Sequence, residues 1–227
     1  MGEELTPEQV EERYVALMGP ELGTIYTRLW NECVWLFWKW DDYVVLFGTS
    51  AERLDKLNKA APAFFYQLQG TLWEDVLLHI SRLTDRPKTN GKKENLTLKR
   101  LPYLVHTSIR VDVERLISSA DQKCEFAHDW RNRRIAHRDL ALALKESAAT
   151  PLRDASRSSV RDALDAIAAV LNRVGRHHAD EDVPYHMFEP RLSARALVYV
   201  IEEGLKAEHQ WREAHKAASS VQGGPAK

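Results

Sequence analysis

The sequence is poor in cysteine and has almost no excess of charge. Only two cysteines, Cys33 and Cys124, occur among the 227 residues, and they form no CxxC pair. This excludes a disulfide framework and a thiol cluster for zinc, so we expect two core thiols in a reducing compartment. The 32 basic and 33 acidic residues leave a net charge of -1. Nucleic-acid binding therefore cannot be inferred from net charge and requires a local basic patch.

Long uncharged hydrophobic runs are also absent. The most apolar stretch, LWNECVWLFWKWDDYVVLF, is interrupted by four charged residues, Glu32, Lys39, Asp41 and Asp42. These charges argue against a membrane span and predict a buried helix instead. The N-terminal stretch MGEELTPEQVEER is acidic and has no apolar run, so no secretory signal is expected. We therefore expect a soluble cytoplasmic protein with no membrane contact.

Several signatures of catalytic and metal sites are missing as well. We find no glycine-rich phosphate loop, no GxSxG elbow and no catalytic cysteine context. Glu125 and His128 have the spacing of one di-iron ligand pair, but such a site needs a second pair on another helix. We predict neither a metal nor a cofactor.

Helical periodicity runs through most of the chain. Apolar residues recur at spacings of three and four, with no alternating strand pattern. This predicts an all-α protein, an antiparallel helical bundle with long central helices. We assign residues 1–20 to an N-terminal helix, 21–216 to the main helical domain and 217–227 to a disordered tail. The first predicted helix begins at Thr6. Six others cover about 23–47, 50–60, 62–85, 108–119, 121–144 and 193–216. A short helix capped by Asn95 or Thr97 lies before Pro102, and another runs from Ser156 or Ser158 to Gly175.

The segment WRNRRIAHRD, residues 130–139, concentrates the polar chemistry. On a regular helix Arg133 and Arg134 share a face with His137, while Arg131, Arg134 and Arg138 form an overlapping stripe. Arginine suits phosphate oxygens, and histidine suits proton transfer near neutral pH. The pattern is compatible with a phosphate-binding catalytic face or with a solvated helix face.

The order of these residues resembles the signature of the HEPN superfamily. In that motif an arginine and a polar residue precede a histidine, and Arg131, Asn132 and His137 fit it. The pieces ISRLTD, residues 80–85, and IAHRD, residues 135–139, resemble the abortive-infection U-type group of HEPN proteins. The resemblance covers about residues 20 to 180.

The resemblance implies a helical bundle that dimerises and cleaves RNA without metal. The RNA 2′-hydroxyl attacks the adjacent phosphate, leaving a cyclic phosphate and a free 5′-hydroxyl. His137 is then the general acid or base, Arg131 binds the scissile phosphate, and Asn132 orients one of them. The remaining candidate substrate-binding residues are Arg133, Arg134 and Arg138.

RNA and a second copy of the chain are the partners that this implies, in a bacterial anti-phage or toxin-like stress protein. An antitoxin or regulatory protein is a further candidate partner. However, HEPN toxins paired with a nucleotidyltransferase often carry a tyrosine two residues after the histidine, where this chain has Asp139. This departure weakens the paired-toxin interpretation.

Two other functions stay open at this point: a catalytically inactive HEPN module that senses a nucleotide or binds a protein, and a plain helical scaffold. A His137 side chain buried against apolar groups would exclude catalysis. Arg131 and His137 are six residues apart, about 120° apart on an ideal helix, so they do not naturally point at one atom. A dimer that pairs Arg131 of one chain with His137 of the other would resolve this, as would a phosphate shared with Arg133 or Arg134, and both arrangements stay open.

Two further features have two interpretations each. Arg82 and Asp85 either form a pair at a helix end or lie near the active face. The loop RPKTNGKKEN either contacts RNA through Lys88, Lys92 and Lys93 or is simply solvated.

Overall fold

The computed structural model describes residues 5–89, 93–187 and 193–222, with the backbone alone described for 217–222. Within these ranges the chain is all-α, as predicted, apart from a two-residue antiparallel pairing of β1 (Lys88–Thr89) with β2 (Lys93–Glu94). This small hairpin was not predicted, because two exposed polar residues per strand leave no alternating pattern. The helices are α1 (Pro7–Met18), α2 (Pro20–Phe47), α3 (Ala51–Ala60), α4 (Pro62–Leu83), α5 (Leu101–Leu104), α6 (Thr107–Trp130), α7 (Leu140–Ala143), α8 (Arg157–His178) and α9 (Ala194–Gln222).

Side-chain caps begin several of these helices where the sequence predicts them. Thr6 accepts a hydrogen bond from the backbone N–H of Gln9 in a capping box, and Ser50 caps α3. Ser156, rather than Ser158, caps α8. Thr97, rather than Asn95, caps the 3-10 turn Leu98–Arg100, which leads directly into α5. Each cap satisfies a backbone N–H that the first helical turn leaves without a partner.

The chain folds into two compact units. The first comprises Met1–Lys39 and Trp73–Phe188, and helices α6 and α8 form much of its interior. They run antiparallel, because Asp112 near the start of α6 lies 3.0 Å from Arg173 near the end of α8. The apolar stripe predicted for α8 faces the core, with every member at most 1% exposed: Val160, Leu164, Ile167, Leu171 and Val174. Cys33 and Cys124 are buried free thiols, as predicted.

The second unit comprises Trp40–Leu72 and Glu189–Lys227. Its core is a small apolar cluster of Val45, Leu46, Leu57, Phe65, Ala194 and Val198. The start of α9 is held by a hydrogen bond from the backbone N–H of Ala194 to Asp42 Oδ1, at 2.8 Å. The boundaries of the predicted HEPN-like domain, at residues 21 and 216, stay a prediction.

Several predicted helix ends are wrong. Helix α2 begins at Pro20 rather than Gly23. Helix α8 does not end at Gly175 but continues to His178. This glycine makes room for a neighbouring side chain, since an added Cβ would lie 2.7 Å from the Tyr26 hydroxyl oxygen. Helix α9 reaches Gln222, beyond the predicted end at 216, and 223–227 lie outside the described residues.

The largest correction concerns the predicted helices 108–119 and 121–144. The first of these and the start of the second are one continuous helix, α6, which ends at Trp130. The segment RNRRIAHRD therefore follows the end of α6 rather than lying within an α-helix. In the part of the chain that the structure describes, no helix is long and apolar enough to cross a membrane.

Candidate active site

The motif begins in a π-turn, Arg131–Ile135, that widens the end of α6. The backbone N–H of Ala136 donates to Arg131 O at 2.8 Å, one residue beyond the α-helical partner, and that of Asp139 donates to Arg133 O at 3.0 Å. The chain then leaves the helix before His137. The predicted shared helical faces are therefore wrong, since 100° per residue no longer relates these side chains. Single π-turns inside or at the end of α-helices frequently occur at functional sites.

Arg131 is held from two sides. Its Nη1 donates a 2.6 Å hydrogen bond to Asp85 Oδ2, and its Nε donates to Asn132 Oδ1 at 3.0 Å. Asp85 lies just after the C-terminus of α4, and its Oδ1 accepts the backbone N–H of Arg86 at 2.8 Å. Arg131 and Asn132, which begin the motif, are thus hydrogen-bonded to each other, and Arg131 is also hydrogen-bonded to Asp85 after the end of α4.

A second contact joins the same two helix ends. Thr84 Oγ1 lies 3.0 Å from His128 Nε2 and donates its own proton to Ile80 O, also at 3.0 Å. Because that proton is committed, His128 must donate its Nε2–H to Thr84. Thr84 and Asp85 therefore contact residues 128 and 131, one helical turn apart, and together they fix where α6 ends against α4.

The charges of this cluster favour an ionised Asp85 and a neutral His128. Burial by itself raises the pKa of Asp85, but hydrogen bonds from the Arg86 N–H and the Arg131 guanidinium bring that pKa below its usual value. Burial lowers the pKa of His128, and the positive charge of Arg131 lowers it further. The cluster therefore joins a guanidinium to an ionised carboxylate, with a neutral imidazole beside them.

Arg133 lies in a separate cluster that holds the chain after the motif. Its guanidinium lies 3.4 Å from the carboxylates of both Asp129 and Asp139 and donates to the carbonyl oxygens of Thr150 and Pro151. All these contacts are within its own chain. Arg133 therefore stabilises the loop at residues 150–151, and its charge is already paired with two carboxylates rather than offered to a substrate.

Asp139, the departure from the paired-toxin pattern, has a local structural role. Its Oδ1 accepts the backbone N–H of Leu142 at 3.1 Å and caps α7. That hydrogen bond lowers the pKa of Asp139, as does the nearby Arg133. The last residue of the motif segment, Asp139, is thus the N-cap of the helix that follows.

The other predicted site residues are more open to solvent. Arg134 lies 3.4 Å from Glu74 through its Nε and packs over the Trp130 ring, 5.2 Å from its centroid. His137 and Arg138 are exposed and make no hydrogen bond or ion pair with the part of the chain that the structure describes. Exposure of His137 removes the objection that a buried imidazole would raise against catalysis. Among the described residues, no hydrogen bond joins Arg131 to His137.

The residues considered as metal ligands have other partners. Glu125 pairs with Arg153 at 2.9 Å, and His128 contacts Thr84. Among the described residues, no group of three or more histidine, cysteine, aspartate or glutamate side chains is placed to hold a metal ion.

Asp85 is the site residue that sequence reasoning did not assign. Of its two interpretations, proximity to the candidate site is confirmed, whereas the pair with Arg82 is wrong: Arg82 lies 3.8 Å from Glu32 instead. The sequence signal that could have assigned Asp85 to the site is its position as the last residue of ISRLTD, one of the two pieces on which the resemblance was based.

Comparison with protein-family models identifies the family of this chain. The family model HEPN_AbiU2, described as AbiU2, matches residues 19–198. No curated protein and no solved structure matches this chain. The matched range contains α2 through α8 and both pieces, ISRLTD and RNRRIAHRD, on which the resemblance was based, and it confirms that resemblance. With most of its length covered by this model, the chain belongs to the HEPN family of AbiU2 proteins.

Proposed function

We propose that this protein is a metal-independent endoribonuclease that acts in bacterial anti-phage defence or a toxin-like stress response. The observation that carries the proposal is the fixed guanidinium of Arg131 in the same short segment as an open imidazole. Asp85 and Asn132 occupy Nη1 and Nε of Arg131, while Nη2 makes no hydrogen bond within the described residues. A guanidinium oriented in advance, with one edge free, is suited to a phosphate that gains charge in the transition state.

The chemistry needs only the substrate and the two side chains of the motif. His137 removes the proton from the 2′-hydroxyl, whose oxygen attacks the adjacent phosphorus. The bond to the 5′-oxygen breaks, that oxygen takes up a proton from water, and His137 returns its own proton to water, so the products are a 2′,3′-cyclic phosphate and a 5′-hydroxyl. Arg131 stabilises the charge on the phosphate oxygens during this step.

A second copy of the chain provides the most direct way to bring the two groups to one phosphate. Within the described residues of one chain, Arg131 donates its hydrogen bonds to Asp85 and Asn132 and none to His137. The helix that follows the motif, α7, begins with an exposed leucine, Leu140 at 70%, and is followed by another, Leu144 at 62%. We propose that these leucines are covered in a homodimer, in which Arg131 of one chain faces His137 of the other.

A catalytically inactive HEPN module is the second candidate, and one observation favours it. The nearest group to Arg131 is a carboxylate of its own chain, at 2.6 Å, so the pair could serve packing alone. In that case Arg131 would stabilise the end of α6 without binding any phosphate.

Incubation of the purified protein with single-stranded RNA in excess EDTA tests the proposal. We expect cleavage that leaves cyclic phosphate and 5′-hydroxyl ends, and no cleavage by the His137→Ala variant. Arg110→Ala, at an exposed position on α6, is the matched control and should cleave normally. Cleavage that requires added divalent ion, or that leaves 5′-phosphate ends, would contradict this mechanism. A wild-type protein that cleaves no RNA would favour the inactive module.

A further inference from the structure

A cavity of about 560 Å³ opens beside the candidate active site, in the first unit of the chain. Its wall is formed by the start of α2, the connection from α4 to β1, and the 3-10 turn with α5. The volume lies within the range typical of small-ligand sites. Nothing in the motif chemistry described above uses this cavity.

One arginine at the cavity has no partner of its own. Arg86 makes no side-chain hydrogen bond or ion pair within the described part of the chain. The two other cations at the cavity share a carboxylate, since Arg100 and Lys88 lie 3.0 Å and 3.5 Å from Glu94. Arg100 also donates to the carbonyl oxygen of Asn95 at 2.6 Å, so it holds the wall. Arg86 is therefore the cation available to an anionic ligand.

An aromatic ring lines the same cavity as this cation. Tyr103, on α5, is 80% exposed, although its neighbours Leu101 and Pro102 are buried. An exposed aromatic ring and an unpaired guanidinium that line one cavity combine a stacking surface for a base with a donor for a phosphate. Glu21 also lines the cavity and would accept a hydrogen bond from a 2′-hydroxyl or an exocyclic amino group.

The cavity is joined to the candidate active site through a single carboxylate. Asp85 Oδ2 accepts the hydrogen bond from Arg131, and Asp85 Oδ1 accepts the backbone N–H of Arg86. A strand with its phosphate at Arg131 would therefore have the unpaired Arg86 close by.

We infer that this cavity binds a nucleotide of single-stranded RNA that flanks the scissile phosphate. Tyr103 stacks on the base and Arg86 binds the neighbouring phosphate. The inference rests on the proposed ribonuclease function for its position along the strand, whereas the binding itself can be measured without cleavage.

Binding of a fluorescent single-stranded RNA 12-mer, in EDTA and in the His137→Ala background, tests the inference. Adding Tyr103→Ala should weaken binding by about five- to a hundredfold, the effect of losing one stacked base. Tyr103→Phe keeps the ring and should bind within about twofold of the background. Tyr199→Ala removes a tyrosine that is 65% exposed in the second unit, and should leave binding unchanged.

The role of Arg86 in binding a phosphate is tested separately, with a matched control. Arg86→Gln should weaken binding and reduce the salt dependence by about one phosphate contact. Arg110→Gln, at an exposed position on α6, should do neither. Equal binding by Tyr103→Ala and Tyr199→Ala would overturn the inference. So would AMP that binds as tightly as the 12-mer through Tyr103, since this would indicate a site for a free nucleotide.

Cleavage separates this inference from the proposed function. If the wild type cleaves RNA, Tyr103→Ala in the otherwise wild-type chain should lower kcat/KM for the 12-mer and not for a dinucleotide too short to fill the cavity. An equal loss of kcat/KM on the 12-mer and the dinucleotide would contradict the placement of this cavity beside the scissile phosphate. If no RNA is cleaved but Tyr103→Ala still loses RNA binding, the ribonuclease proposal fails and the binding site stands.

Discussion

The guanidinium of Arg131 donates to the carboxylate of Asp85 at 2.6 Å, across 46 positions of sequence. Both side chains are partly shielded, at 26% and 28% exposure. The pair therefore joins the first residue of the motif to the end of α4 in surroundings where a charged hydrogen bond is less screened than on the open surface.

Replacing Asp85 with asparagine should damage both stability and cleavage. The change removes the negative charge that orients Arg131, and losing a hydrogen bond to a charged group should lower the free energy of unfolding by about 1–3 kcal/mol. Urea denaturation at pH 7 measures this loss, and cleavage rates should fall in parallel.

The matched control is Glu125→Gln, which removes an exposed pair with Arg153. Such pairs contribute about 0–1 kcal/mol, so its stability and cleavage should stay close to wild type. If Asp85→Asn is as active as this control, Asp85 does not position Arg131.

His137→Ala should abolish cleavage while the protein stays folded and still binds RNA. The imidazole is exposed and makes no hydrogen bond or ion pair with the described residues, so its loss should leave the thermal midpoint nearly unchanged. A positioned acid or base contributes about 10²–10⁴ in rate. Single-turnover cleavage and RNA-binding measurements on the same preparation separate the two effects. Undiminished cleavage would remove His137 from the mechanism.

Mixed dimers should show whether the site draws on both chains. We expect His137→Ala and Arg131→Ala proteins to be inactive alone and to recover part of the activity when unfolded and refolded together. One of the two sites in each mixed dimer would then hold an intact arginine and an intact histidine. Recovery is measured against each variant refolded alone. If mixing restores nothing while mixed dimers are present, each chain carries its own complete site.

The exposed leucines after the motif should be needed for dimerisation. Leu140→Asp with Leu144→Asp should shift the protein toward monomer and reduce cleavage, because charged groups would be buried without partners in the interface. Sedimentation or light scattering at micromolar concentration measures the change. Tyr66→Asp, at an 80% exposed position in the second unit, is the control and should keep the wild-type state. A wild-type protein that is already monomeric would contradict the prediction.

Acid should destabilise the protein through the buried His79. Its ring is 1% exposed, and its Nε2 lies 2.8 Å from Glu32. Burial and the positive charges of Lys39 and Arg82 outweigh Glu32 and lower the pKa of His79 to about 4. The unfolded chain binds this proton near pH 6.5, so the free energy of unfolding should fall as the pH drops from 6.5 toward 4.

Between pH 7 and pH 5, His79 should contribute a loss of up to about 2 kcal/mol. Urea denaturation of wild type and His79→Gln at both values measures it. The lowered pKa of His128 acts in the same direction and is common to both proteins, so the difference between them isolates His79. An equal pH dependence in both proteins would contradict the assignment.

Most of the helical architecture could be predicted from the sequence, because its signals are local. The stripe from Val160 to Val174 predicted the buried face of α8, and Thr6, Ser50 and Ser156 marked helix starts. A period of three to four residues and a cap hydrogen bond both depend on neighbours within one or two turns. The family, too, followed from short pieces of sequence, which the match over residues 19–198 confirms.

Tertiary structure alone decided how the motif is presented. Nothing in RNRRIAHRD indicates a π-turn, and the regular helix predicted there is wrong. The turn forms where Arg131 contacts Asp85 and where Arg133 contacts the loop at residues 150–151. These partners are 46 and at least 17 positions away, and local propensity carries no information about them. The sequence by itself determined which chemical groups the motif offers, whereas packing between distant helix ends decided that Arg131 is held and His137 is left open, since only the folded chain brings those ends together.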